Sequence, residues 1–215
     1  MSNRFLIILG VLILGFIGFL VYQNNDDGGS GDTGNTDVQA SQHTTGEGTK
    51  NVTLVEYGDF QCPSCGQFFP IVEQVKEQYG DDITFQFRHF PLTQIHQNAM
   101  AAHRAAEAAS KQGKFWEMHD LLYQRQNLWA QSQNAAGIME DYATELELNV
   151  EQFKTDYQSS EVNAVINADL KAGQEIKVTG TPTFVINGEV VELPNPSLEA
   201  FTKLIDEAIA NANQE

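Results

Sequence analysis

The sequence predicts an α/β domain with a helical insert, preceded by a membrane-spanning helix and a flexible linker. Three observations lead to this prediction. Residues 5–22 form an apolar run, residues 24–50 are polar, and strand-like and helix-like segments fill residues 51–215, with a mostly helical insert over residues 93–177. The whole chain has 12 basic and 29 acidic residues, a balance that argues against binding to nucleic acid.

Residues 1–23 are predicted to be an N-terminal membrane anchor. At about 1.5 Å per residue, the uncharged run over residues 5–22 forms a helix of about 27 Å, enough to cross a hydrocarbon core. A cleaved signal peptide is the alternative, but its apolar part is usually about 7–15 residues long. Arg4 precedes the run, and Asp26 and Asp27 follow it. The positive-inside rule therefore predicts a single-pass protein of the cell membrane whose remaining part is extracytoplasmic.

Residues 24–50 are predicted to be a flexible linker. They are rich in Asn, Asp, Gly, Ser and Thr, with almost no apolar side chain. Such a segment cannot bury enough surface to offset the entropy lost on ordering. The folded domain is therefore predicted to begin at residue 51.

The chain has two cysteines, Cys62 and Cys65, between a strand-like and a helix-like run. A disulfide between them would close a short loop and stabilise the fold little. A structural zinc site takes four ligands, and the sequence has no second cysteine pair. The pair is therefore predicted to be a redox-active disulfide rather than a staple or an inert site, and no metal or cofactor is predicted. Disulfides persist in oxidising compartments, which agrees with the predicted extracytoplasmic location.

The segments beside the cysteines have clear periodicities. Residues 52–57 are predicted to be a central buried strand, so Glu56 is expected to be buried, with its pKa raised by desolvation. Residues 62–79 are predicted to be a helix that Pro70 kinks. Alternation predicts a further strand over residues 83–87.

Helices are predicted over residues 98–112, 115–124, 135–146 and 150–172 of the insert, and His96, His103 and His119 are predicted to be surface or cap residues.

The C-terminal part of the chain returns to strands. Residues 183–186 and 189–192 are predicted to pair through a turn at Asn187-Gly188, which is a strong hairpin signal. A last amphipathic helix is predicted after Pro196.

This order of elements resembles the thioredoxin fold in its DsbA-like form, over about residues 51–210. The matching residues are Cys62-Pro63-Ser64-Cys65 as the family active site, Glu56 as the buried acid, Pro70 as the helix proline, Gly180-Thr181-Pro182-Thr183 as the cis-proline loop, and the stretches 88–92 and 112–116. Many DsbA-type oxidases have histidine where this chain has Ser64, and a serine hydroxyl is expected to help the thiolate less.

The resemblance implies a thiol–disulfide oxidoreductase that forms disulfides in exported proteins. Cys62 would be the exposed nucleophile, with its thiolate favoured by the helix N-terminus, and Cys65 would be the resolving thiol. Glu56 would relay protons to Cys65.

Pro63, Ser64, Thr181 and Pro182 would contact the client protein. The implied partners are exported proteins with cysteines and a membrane redox partner. A disulfide reductase or isomerase, and a non-catalytic thioredoxin-like module that binds clients, are the alternatives.

Overall fold

A five-stranded sheet organises the part of the chain that this computed structural model describes, residues 38–213. The strands are β1 (His43–Thr45), β2 (Val52–Gly58), β3 (Ile83–His89), β4 (Thr183–Ile186) and β5 (Glu189–Val191). Their order across the sheet is β1-β3-β2-β4-β5. The β2 and β3 strands are parallel, and the other neighbours are antiparallel. The predicted strand before the cysteines is therefore the central strand of the sheet.

Helices cover the sheet and form the insert. Those of the described residues are α1 (Pro63–Tyr79), α2 (Ala99–Ser110), α3 (Phe115–Gln124), α4 (Gln126–Trp129), α5 (Ala135–Glu145), α6 (Val150–Tyr157), α7 (Ser160–Glu175) and α8 (Leu198–Ala212). One apolar core lies between the sheet, α1 and α8, and includes Leu54, Phe68 and Phe201. A second core holds the insert together and includes Cys65 and Trp129. The predicted α/β class with a helical insert between β3 and β4 is confirmed.

Several predicted boundaries need correction. The strand predicted over residues 83–87 continues to His89, because it pairs with the whole of β2. The stretch predicted to be helical over residues 150–172 contains two helices, α6 and α7. Ser159 separates them as an N-cap, since its hydroxyl accepts the N–H of Val162 at 3.2 Å.

The folded part also begins earlier than residue 51. Strand β1 pairs with β3, and Ser41 is buried beside it. The N–H of Ser41 donates to Asp169 Oδ1 at 2.7 Å, and its hydroxyl donates to Asp169 Oδ2 at 2.6 Å. The prediction of a flexible linker is therefore wrong for residues 38–50. The polar composition of residues 38–50 did not indicate a strand, because hydrogen bonds rather than apolar side chains hold this segment in place.

The predicted membrane anchor, residues 1–23, and residues 24–37 of the predicted linker lie outside the described residues. Within residues 38–213, none of the helices has the length and apolar character needed to span a bilayer.

Candidate active site

The two cysteines lie at the amino-terminal end of α1, and both are free thiols. Cys62 is the N-cap residue and Pro63 is the first helical residue, a position where the missing proline N–H costs no hydrogen bond. The N–H of Cys62 donates to the carbonyl of Asp59 at 3.0 Å, and the carbonyl of Cys62 accepts the N–H of Gly66 at 3.1 Å. These bonds fix Cys62 at the positive end of the helix dipole.

The two thiols differ in accessibility. Cys65 is 0% exposed and Cys62 is 7% exposed. The prediction that Cys62 is exposed is therefore wrong, because its side chain is almost fully buried. Cys62 is still the more accessible of the two thiols. Part of its cover comes from Thr181, whose carbonyl oxygen lies 3.3 Å from Cys62 Sγ.

The two thiols also differ in acidity. The pKa of Cys62 is lowered to about 5, chiefly by a hydrogen bond with the Cys65 thiol; burial opposes this, and Thr181 and the N–H groups of Cys65 and Ser64 add to it. The pKa of Cys65 is raised well above its ordinary value, first by burial and then by its hydrogen bond to Cys62. At neutral pH, Cys62 is therefore a thiolate and Cys65 a protonated thiol. This is the combination that a nucleophile and a resolving thiol require.

Glu56 lies on β2 and is 2% exposed. Burial raises its pKa to about 8; Lys76 opposes the rise, and Glu73 and Cys62 add to it. Glu56 also raises the pKa of the Cys65 thiol. The predicted burial and pKa direction are confirmed, and the carboxyl group carries a proton at neutral pH.

The loop before β4 contacts the other side of the dithiol. The Thr181–Pro182 peptide bond is cis, as the sequence predicts. Pro63 is exposed, and Ser64, Thr181 and Pro182 are partly exposed. Ser64 is in the first turn of α1, and the carbonyl of Thr181 touches Cys62 Sγ. Of the four residues predicted to contact a client, Pro63 and Ser64 thus follow Cys62 directly, Thr181 touches it, and Pro182 is next to Thr181 in the chain.

The helical insert holds the active-site loop through Gln126, which the sequence analysis missed. Its Nε2 donates to the carbonyls of Phe60 at 2.7 Å and Cys62 at 2.9 Å. Gly66 leaves the space for it, because a Cβ at this position would lie 2.9 Å from Gln126 Oε1. No local pattern marks one glutamine as a long-range donor, so the sequence has no signal for this contact.

A second missed residue is Asp59, three positions before Cys62 and fully buried. Its carboxylate accepts the N–H groups of Gln61 and Leu92, both at 2.8 Å, and lies 2.7 Å from His96 Nδ1. Burial would raise its pKa, but the neighbouring His103 and the hydrogen bonds with His96 and Leu92 outweigh burial and lower the pKa to about 2. Asp59 is therefore an ionised carboxylate that fixes the loop leading into the dithiol.

The prediction that the histidines lie at the surface or in caps is wrong for His103 and His119. Both are buried, and burial lowers the pKa of each to about 4. Helical spacing contained the signal. His103 follows Ala99 by four positions and His119 follows Phe115 by four, so each lies on the apolar face of its helix.

Comparison with known proteins gives a consistent fold assignment. Residues 39–207 match the family model described as thioredoxin. The chain resembles α-DsbA1 of Wolbachia pipientis with a TM-score of 0.66 and 19% identity, over 79% of this chain and 91% of that chain. This likeness confirms the DsbA-like form of the fold.

Two curated relatives are also similar. The chain is 29% identical to a probable disulfide bond formation protein D of Bacillus anthracis, over 97% of this chain and 98% of that protein. It is 38% identical to a Na⁺/H⁺ antiporter NhaA 3 of Salinispora tropica, over 79% of this chain and 25% of that protein. The match thus spans about a quarter of the length of the antiporter.

Proposed function

Because the chain belongs to the thioredoxin family, we propose that it is a thiol–disulfide oxidoreductase that forms disulfides in exported proteins through Cys62 and Cys65. The observation that carries this proposal is the opposite shift of the two thiol pKa values, to about 5 for Cys62 and upward for Cys65. A stable Cys62 thiolate stabilises the reduced form and so makes the disulfide a stronger oxidant. The similarity to the disulfide bond formation protein of Bacillus anthracis supports this direction of electron flow.

The first step is attack by a client thiolate on Cys62 Sγ of the oxidised protein. The new client–Cys62 disulfide forms, and the Cys62–Cys65 bond breaks. Cys65 leaves with the electron pair and takes a proton, because its pKa is raised well above its ordinary value. Glu56 supplies that proton, since its own pKa of about 8 keeps it protonated at neutral pH.

The second step releases the client. A second client thiolate attacks the client sulfur of the mixed disulfide, so the client disulfide forms and Cys62 leaves as a thiolate. Two electrons have then passed to the protein, which becomes the dithiol. An external oxidant, proposed to be a membrane redox partner, must restore the disulfide.

The client-binding surface consists of Pro63, Ser64, Thr181 and Pro182. An extended client segment would lie across the cis-proline loop, where backbone groups can pair with it. Because the Thr181 carbonyl lies 3.3 Å from Cys62 Sγ, such a segment would place its cysteine beside the reactive sulfur.

Measurement of the reduction potential tests the function. Equilibration with redox buffers and titration of free thiols should show a reversible two-electron change between roughly −270 mV and −120 mV, the values of thioredoxin and DsbA. Ser64 brings no positive charge to the Cys62 thiolate, so we expect a potential below that of DsbA. A potential below −270 mV would favour a reductase, and no reversible change would favour a client-binding module.

We also propose that residues 1–23 anchor the domain to the extracytoplasmic face of the membrane. Arg4 before the apolar run and the aspartates after it support this orientation. Protease added to intact spheroplasts should then release a soluble fragment that begins within residues 24–37, because the structure places folded chain from residue 38 onward. A cytoplasmic protein serves as the control for lysis, and cleavage only after lysis would reverse the orientation.

A further inference from the structure

Three side chains from separate elements bring metal-binding atoms together at the sheet edge away from the hairpin. His43 lies on β1, His89 ends β3, and Glu107 lies on α2. Their three ligand atoms all lie within 4.8 Å of one another. Glu107 Oε1 contacts the Nε2 atoms of both histidines, with 2.7 Å to His89. His89 and Glu107 are buried, and the side chain of His43 is 11% exposed.

The ligand types suit zinc better than calcium or magnesium, which prefer oxygen ligands. Zinc bonds of about 2.0–2.1 Å in a tetrahedral site place ligand atoms about 3.3 Å apart. The 2.7 Å between Glu107 Oε1 and His89 Nε2 is shorter than this spacing, and all three ligand atoms lie within 4.8 Å of one another. Three protein ligands leave a fourth position for water, on the partly exposed side of His43. The ring of His43 is held by stacking on Phe115, with 3.5 Å between centroids.

The neighbouring histidine supplies an independent observation. His103 Nδ1 lies 2.6 Å from His89 Nδ1, so one of these two nitrogens must carry the hydrogen. If His89 Nε2 donates to Glu107, a neutral His89 has no hydrogen on Nδ1, and His103 Nδ1 must be the donor. A neutral His103 then has no hydrogen on Nε2. This buried nitrogen has no hydrogen-bond partner among the described residues, and it lies 3.8 Å from Asp59 Oδ1, so two acceptors would face each other.

A metal ion on His89 resolves this conflict. The ion takes the lone pair of His89 Nε2, so the ring hydrogen moves to Nδ1 and donates to His103 Nδ1. The hydrogen of His103 moves to Nε2, where it faces the carboxylate of Asp59. Both rings stay neutral, and no net proton is gained or lost in them. We therefore propose that His43, His89 and Glu107 bind a zinc ion, with His103 and Asp59 as the outer hydrogen-bonding partners.

The proposed site is connected to the redox centre without being part of it. Hydrogen bonds join Glu107, His89 and His103, and Asp59 Oδ1 lies 3.8 Å from the far ring nitrogen of His103. The backbone carbonyl of Asp59 accepts the N–H of Cys62 at 3.0 Å. Zinc binding and thiol chemistry can therefore be tested separately, and failure of one does not imply failure of the other.

The first test is a zinc titration of the untagged full-length chain against a competing chelator dye. The protein is first oxidised, so that Cys62 and Cys65 cannot bind the metal. We expect one zinc ion per chain, and a loss of affinity of about 100-fold or more in His89→Gln and Glu107→Gln. His119→Gln removes a buried histidine outside the cluster, and it should bind zinc like the wild-type protein. No zinc uptake by the oxidised wild-type protein, or equal affinity in all variants, would overturn the proposal.

The second test needs no variant and so does not depend on how the substitutions fold. Long-range ¹H–¹⁵N correlation spectra of the oxidised wild-type protein report which ring nitrogen carries hydrogen. Addition of zinc should move the hydrogen of His103 from Nδ1 to Nε2 and that of His89 from Nε2 to Nδ1. Zinc uptake that leaves both tautomers unchanged would place the ion elsewhere and refute this assignment.

Discussion

Cells that contain the Cys65→Ser variant are expected to accumulate mixed disulfides between Cys62 and client proteins. The variant keeps the more accessible thiol, whose pKa Thr181 and the N–H groups at the start of the helix still lower, but it lacks the thiol that resolves the adduct within the chain. The adducts should appear as bands of higher mass on a non-reducing gel and disappear on reduction. Cys62→Ser should give almost none, because its remaining thiol is 0% exposed and its pKa is raised.

The double variant, with both cysteines replaced by serine, is the control for adducts that do not involve this pair. Equal trapping by the two single variants would contradict the assignment of nucleophile and resolving thiol. If neither variant traps clients, a non-catalytic client-binding module would explain the protein better than an oxidoreductase.

Glu56→Gln is expected to make the oxidised protein more stable at alkaline pH. The Glu56 pKa is about 8 in the folded protein, against an ordinary value of 4.5. Between these values the folded state binds more protons than the unfolded state, so the free energy of unfolding falls as pH rises. The contribution is fully present below pH 4.5 and is lost as pH rises through 8. The total loss is roughly 3–5 kcal/mol, at about 1.4 kcal/mol per pH unit.

Urea unfolding between pH 4 and pH 9 measures this effect. The oxidised form is used because it removes the Cys62 thiolate, whose lowered pKa has the opposite effect on stability. Glu56→Gln should lose the pH dependence that this carboxyl group causes. Glu77→Gln, at an exposed glutamate of α1, should retain it. A variant that keeps the wild-type slope would show that Glu56 is ionised in the folded protein.

Much of the fold could be predicted because its signals are local. The apolar run of β2 and the helical spacing of α3 lie within short stretches, and the helix over residues 115–124 is found where it was predicted. The dithiol and the cis Thr181–Pro182 bond belong to short motifs as well. Such signals can be read from the sequence alone, because they do not depend on contacts with distant segments.

The missed features depend on contacts between distant segments. Gln126 lies 64 positions from Cys62, and its role follows only from where the insert packs. The histidine cluster joins β1, β3 and α2, so spacing along the chain could not reveal it. Asp59 was missed although it lies close to the dithiol, because its importance comes from three residues that the fold brings to it, Leu92, His96 and His103.

The short strand β1 also shields the sheet. Its three residues pair with Phe85–Phe87 on β3, a strand whose buried side chains include Ile83 and Phe85. Without β1, the outer backbone groups of β3 would be unpaired along an apolar strand, which is a template for pairing with another chain. At the opposite border of the sheet, β5 is equally short. The segment that contains β1 therefore also protects this edge of the sheet from pairing with other chains.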